Sequence, residues 1–103
     1  PAVEAVMARV RAKYGEVEEG DYFTLLELST DADGEAVRRA YEALRAELLL
    51  ARVPERCQRE LASELSQIAL ALDEAHALLS DDALREAYRA ELAPLSRPLS
   101  ARA

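Results

Sequence analysis

The chain has 103 residues, a formal net charge of −7 and one cysteine; half of its residues are apolar and only three are glycine. That bounds it to one domain with short extensions, and the acidic balance argues against nucleic-acid binding, which needs clustered basic side chains. The lone Cys57 rules out an internal disulfide and suits a reducing, cytoplasmic setting; no apolar run approaches the ~20 residues of a membrane span, and the N-terminus lacks a signal-peptide pattern.

The first predicted helix covers Ala2 to Tyr14. Val3, Val6, Met7, Val10 and Tyr14 recur at three- and four-residue steps and share a face. Glu4, Arg9, Arg11 and Lys13 fall elsewhere on the wheel, and Gly15 sits where a C-terminal cap belongs. Residues 16–20 read as a charged connector. Asp21 suits the N-cap of a short helix reaching about Glu27, with Tyr22, Leu25 and Leu26 on its apolar side. Asp33 is placed to cap a third helix from Gly34 to about Leu49, with Val37, Ala40, Tyr41, Leu44 and Leu48 inward. Pro54 suits the first turn of a long fourth helix ending at Leu79, striped by Leu61, Leu65, Ile68, Leu72, Ala75 and Leu79. Ser80 and Asp81 lead into a fifth, from Asp82 to about Leu92, expected to carry Leu84 and Tyr88 inward. Pro94, Pro98 and the Ser/Arg/Ala run read as a flexible tail.

These elements divide the chain into an N-terminal amphipathic helix with its connector (1–20), a helical domain (21–92) and a tail (93–103). The fold class is all-α. Two long amphipathic helices joined by a short loop should pack as an antiparallel hairpin, with the short helices closing its ends. The stripe of the first helix needs a cover, and the chain's own bundle is the favoured one over a neighbouring domain or a second copy.

Three runs within residues 21–90 resemble a J-domain, the module with which DnaJ-type co-chaperones stimulate a heat-shock ATPase. Asp21-Tyr22-Phe23-Thr24-Leu25-Leu26 is similar to the family's opening D-Y-Y-x-L-L. The run from Asp31 to Tyr41 resembles D-A-S-x-E-E-I-K-x-A-Y, and Glu74 to Asp81 with Arg85, Ala87 and Tyr88 resembles E-A-Y-x-V-L-S-D and its trailing R-x-x-Y. The resemblance implies a J-domain-like helical hairpin with short flanking helices, to which this chain adds an N-terminal helix. It also implies His-Pro-Asp at positions 49–51, where the chain has Leu49-Leu50-Ala51. Further departures are Glu27 in place of a frequent Gly, Glu42 and Glu47 where Arg or Lys is usual, Asp82 in place of Pro, and His76 in place of an aromatic residue.

The family's basic docking face survives only in Arg38, Arg39 and Arg45, and opposite charges within a docking face oppose encounter with an acidic partner. Three consecutive leucines, Leu48-Leu49-Leu50, cannot all face one core from a helix end. Leu49 and Leu50 therefore join Arg38, Arg39 and Arg45 as candidate partner-binding residues, against the plainer reading of packed leucines and an exposed, internally paired helix face. His76 has no second histidine nearby and reads as a half-buried packing residue. Cys57 stands beside Arg56 and Arg59, which can lower a thiol pKa, although an inert thiol is the simpler reading. The pairs Asp31/Asp33 and Asp81/Asp82 sit at helix starts, where capping accounts for them. No nucleophile–base pair, metal-ligand spacing or phosphate loop appears, so no enzymatic activity, cofactor or metal is expected.

The expected function is a non-catalytic protein–protein interaction module, unable to stimulate the ATPase and belonging to a larger bacterial regulatory or scaffolding protein. The alternative is a J-like partner that pairs with a true J-domain co-chaperone and restrains it. Expected partners are another protein or a neighbouring domain of the same polypeptide, with no nucleic acid and no membrane; the chain is expected to be a monomer or a weak homodimer. Pro1 in place of an initiator methionine fits either an excised piece of a longer protein or methionine removal before proline. The Ala/Arg/Leu bias suits a GC-rich bacterial genome.

Overall fold

A computed structural model describes residues 2–48 and 53–96, with side chains over 3–48 and 53–92. Six helices follow in order: α1 (Ala2–Glu19), α2 (Tyr22–Leu25), α3 (Gly34–Glu47), α4 (Glu55–Glu60), α5 (Ala62–Leu79) and α6 (Asp82–Ser96). No strand occurs among the described residues, so the fold is all-α. Each of the other five helices packs against α5. Its stripe of Leu65, Ile68, Leu72, Ala75 and Leu79 is the centre of a core completed by Met7 and Val10 of α1, Phe23 and Leu25 of α2, and Val37 and Leu44 of α3. α3 and α5 run antiparallel. Gly34 lies against Arg85, just beyond the end of α5, Tyr41 meets His76, and Arg45 meets Asp73.

The caps follow the sequence closely. The Asp21 carboxylate accepts from the Thr24 amide at 2.7 Å and that of Asp33 from the Ala36 amide at 2.9 Å, each satisfying a donor that the first turn leaves orphaned. The opening and closing runs, far apart in sequence, meet in space. The Tyr22 amide donates to the Tyr88 hydroxyl at 2.9 Å, and the Tyr88 ring lies against Tyr22 and Phe23. Arg89 donates to the Thr30 and Ala32 carbonyls and stands over the Phe23 ring, tying the loop before α3 to α6.

Several boundaries differ from expectation. α1 does not stop at Gly15 but continues to Glu19, because Val17 adds apolar packing and Lys13 pairs with Glu16 one turn on. The glycine that ends it is Gly20, whose amide closes on the Glu16 carbonyl and where a Cβ would sit 2.9 Å from that oxygen. The expected helix from Pro54 to Leu79 is two helices. Pro54 is the N-cap rather than a first-turn residue, and Leu61, at φ −124° and ψ 25°, bends the path. The ladder nevertheless continues on both sides, from Leu61 N to Cys57 O and from Leu65 N to Leu61 O. The bend lets Cys57, Leu61 and Val53 all reach the core. α6 outlasts its expected end near Leu92 and runs through Pro94 to Ser96. Leu84 does not point inward: it is 51% exposed, and Arg85 takes the buried position. The Asp81 cap on the Leu84 amide sets the phase of α6, which turns Arg85, Tyr88 and Leu92 toward the bundle.

The largest correction concerns Lys13, expected on the outer face of α1 and found fully buried. Its ammonium has three protons and three acceptors: the Leu25 carbonyl at 2.8 Å, Glu16 Oε1 at 2.6 Å and Glu27 Oε2 at 2.8 Å. The burial cost of the charge is thereby met by a complete set of partners. Glu27 follows the end of α2 and has φ 62°, a left-handed geometry that suits glycine. Its carboxylate also takes Arg9 at 2.7 Å, and Arg9 reaches Glu47 at 2.7 Å. The α1 stripe therefore packs on the chain's own bundle, held at its edge by an ionic cluster.

Two outcomes follow from that cluster. Glu27→Gly relieves a backbone cost of about 1 kcal/mol but removes a charged acceptor from a buried cation, worth about 1.5–3 kcal/mol. It should lower stability by about 1 kcal/mol in the native chain and become neutral or stabilising in a Lys13→Met background, as read by urea unfolding of the four-variant cycle. Acid should also weaken the fold. Lys13 and then Arg9 hold the Glu27 carboxyl below its ordinary range, and Arg9 does the same for Glu47. A depressed native pKa gives stability that is present above the unfolded value and lost as pH falls through the native one. The urea midpoint should therefore drop below about pH 4.3, and less steeply in Lys13→Met.

Candidate functional site

Arg38 and Arg39 both lie on the exposed side of α3, one turn from Glu35. Arg38 pairs with Glu35 and, at 3.0 Å, with Glu42; Arg39 pairs with Glu35 at 3.1 Å. Arg38 and then Arg39 hold the Glu35 carboxyl below its ordinary range. The stretch Glu35, Arg38, Arg39, Glu42 is thus neutral by count, with its positive charges directed along the helix. Exposed i,i+3 and i,i+4 pairs, screened by solvent, contribute little to stability. Their larger effect is to cancel the field an acidic partner would follow.

Arg45 belongs to a different arrangement. It stands 3.3 Å from Asp73 on α5, and the Tyr41 hydroxyl donates to the same carboxylate at 2.7 Å. The Tyr41 ring stacks on His76 with centroids 4.1 Å apart, so His76 is a half-buried packing residue. Arg45 therefore joins α3 to α5, and the structure does not bring the three arginines into one basic patch. Leu49 and Leu50 lie outside the described residues; Leu48, the first of the leucine run, is buried.

A cleft of about 300 Å³ opens where α1 passes the end of α3 and the start of α4. It is lined by Ala5, Val6, Arg9, Glu47, Leu48, Val53 and Pro54. Its walls are apolar and the Arg9–Glu47 pair forms a polar edge. The periodicity of α1 pointed to Val6 as a packing residue, but nothing local in the sequence placed Arg9 against Glu47, since that pair depends on how α1 docks.

The remaining candidates have structural roles. Asp33 and Asp81 are caps, Asp31 accepts from the Ser29 hydroxyl, and Asp82 pairs with Arg85 at 2.8 Å. Among the described residues no three His, Cys, Asp or Glu side chains come together to hold a metal, and no helix is long and apolar enough to cross a membrane. Cys57 is fully buried. The flanking arginines that were candidates for activating it are turned to Glu60 and Glu55, and burial pushes its thiol pKa up. No family model, curated protein or solved structure matches the chain.

Burial makes one labelling result certain to discriminate. In the native protein Cys57 should react with a thiol reagent more than about a hundredfold more slowly than a free thiol, and Lys13, the single lysine, should resist amine acylation. Both should label together once urea unfolds the chain, as followed by intact mass.

Proposed function

We propose that this chain is a non-catalytic protein–protein interaction module on a J-domain-like scaffold, unable to stimulate a heat-shock chaperone ATPase and working within a larger bacterial regulatory or scaffolding protein. The observation that carries the reading is a division within the sequence. The three runs that resemble the J-domain are present, while the tripeptide that would act on the ATPase is replaced by Leu49-Leu50-Ala51. Leucine and alanine supply neither an imidazole nor a carboxylate, and neither fixes φ as proline does.

The structural roles of the retained residues support the same division. Asp21, Asp33, Tyr22 and Tyr88 cap helices or join the ends of the chain, which explains their presence without any ATPase. The arginines that would meet an acidic partner are ion-paired to Glu35, Glu42 and Asp73. Glu47, at a position where the resembled family is usually basic, is a partner of Arg9. A contact through Leu49 and Leu50, which follow α3 in the sequence, is the partner site that this reading favours.

Single-turnover ATP hydrolysis by a bacterial heat-shock ATPase, with and without this chain and with a true J-protein added, tests the proposal. The chain alone should leave the hydrolysis rate unchanged within about twofold. Stimulation by the chain alone would overturn the reading. Suppression of the J-protein's stimulation would replace it with the restraining-partner alternative.

A further inference from the structure

α1 is held differently from the helix it packs on. Among its described residues only Met7, Val10 and Lys13 are buried, whereas α5 buries Leu65, Ile68, Ala71, Leu72, Ala75 and Leu79. Only Gly20 and Asp21 separate α1 from α2. The bonds that tie the other helices together, from Tyr22 to Tyr88, from Tyr41 to Asp73 and from Arg89 to Ala32, involve no residue of α1, so they do not depend on its being docked. Undocking also returns the Lys13 ammonium to water, and that solvation offsets much of what its buried ion pairs contribute.

The seat that α1 occupies has a defined chemistry. The Leu25 carbonyl and the Glu27 carboxylate lie beside the apolar core that receives Met7 and Val10, and Glu47 stands at its edge. An occupant must be a helix with two apolar side chains one turn apart and an ammonium one turn further along the same face. It must also carry a guanidinium within reach of both carboxylates. α1 supplies all of these in Met7, Val10, Lys13 and Arg9, and Lys13 is the single lysine of the chain. We propose that α1 is exchanged between two copies of the chain, each α1 filling the seat of the other in a domain-swapped dimer. Such a dimer re-forms every contact that α1 makes in the monomer, so the hinge and the concentration decide between the two forms. A short hinge favours exchange, because once opened it no longer has to turn α1 back onto its own bundle. The hinge is closed here by the Gly20 amide on the Glu16 carbonyl, and a Cβ at residue 20 would stand 2.9 Å from that oxygen. The exchange is separate from the Leu49/Leu50 contact and stands whether or not that site binds a partner.

The test is the mass in solution of the full chain after refolding from urea at about 10 μM and at about 1 mM. It should be that of a monomer at the lower concentration and rise toward that of a dimer at the higher one. On dilution the dimer should persist for minutes or longer, because α1 must leave its seat before the copies separate. Gly20→Ala strains the closed hinge and should raise the association constant about fivefold or more. Two opposed variants then test the occupant itself. Lys13→Glu spoils α1 and keeps the seat, while Glu27→Lys keeps α1 and spoils the seat. Neither should associate alone, and an equimolar mixture should form a heterodimer in which Lys13 of one copy meets Glu27 of the other; circular dichroism should show both helical. The native and Gly20→Ala measurements need neither of these variants to fold. A monomeric mass for the native chain at both concentrations, a dimer that falls apart at once on dilution, association indifferent to Gly20→Ala, or a mixture of two folded variants no more associated than its components would each overturn the proposal.

Discussion

The ammonium of Lys13 is the interaction on which the placement of α1 depends. A fully buried cation is tolerated only when every proton finds an acceptor, and here the acceptors come from two places: Glu16 on α1 itself, and Leu25 and Glu27 at the end of α2. The Leu25 carbonyl is one of those a helix leaves unsatisfied at its C-terminus, so Lys13 caps a second helix while anchoring its own. Lysine suits the position better than arginine. Its compact ammonium points three donors at convergent oxygens, whereas a planar guanidinium needs a wider, flatter partner. The other cations of the chain are all arginine.

Glu27 and Glu47, distant in sequence, are connected through this cluster. Glu27 keeps a left-handed backbone that glycine would suit; what it gains is a carboxylate for Lys13 and Arg9. Glu47 takes the other side of Arg9. Both carboxylates anchor α1 to the elements it packs on, so the docking of that helix and these two charges are one arrangement.

Charge placement on α3 follows the same economy. Arg38 and Arg39 are balanced within their own helix, and Arg45 is committed to α5 through Asp73 and Tyr41. Arg56 and Arg59 of α4 are likewise balanced by Glu60 and Glu55 of their own helix, while Arg11 and the leucines Leu70 and Leu84 are exposed.

The sequence by itself determined the helical class, the caps at Asp21 and Asp33 and the apolar stripes of α3 and α5. Those are local: they depend on propensity, on a side chain reaching an amide three residues on, and on a 3.6-residue period. It also displayed the arginines of α3, together with the intrahelical glutamates able to pair with them. Only the tertiary structure decided what depends on contacts between distant segments. It turned Lys13 inward because α2 offered it oxygens, carried α1 past Gly15 because Val17 found apolar neighbours, bent the chain at Leu61 so that Cys57 and Val53 could both be buried, and put Arg85 rather than Leu84 inside. For Lys13 a helical wheel ranks the residue by polarity alone, whereas its burial is set by oxygens of α2 and of its own helix that satisfy the ammonium; for the apolar residues it is set by which neighbours the tertiary fold brings up.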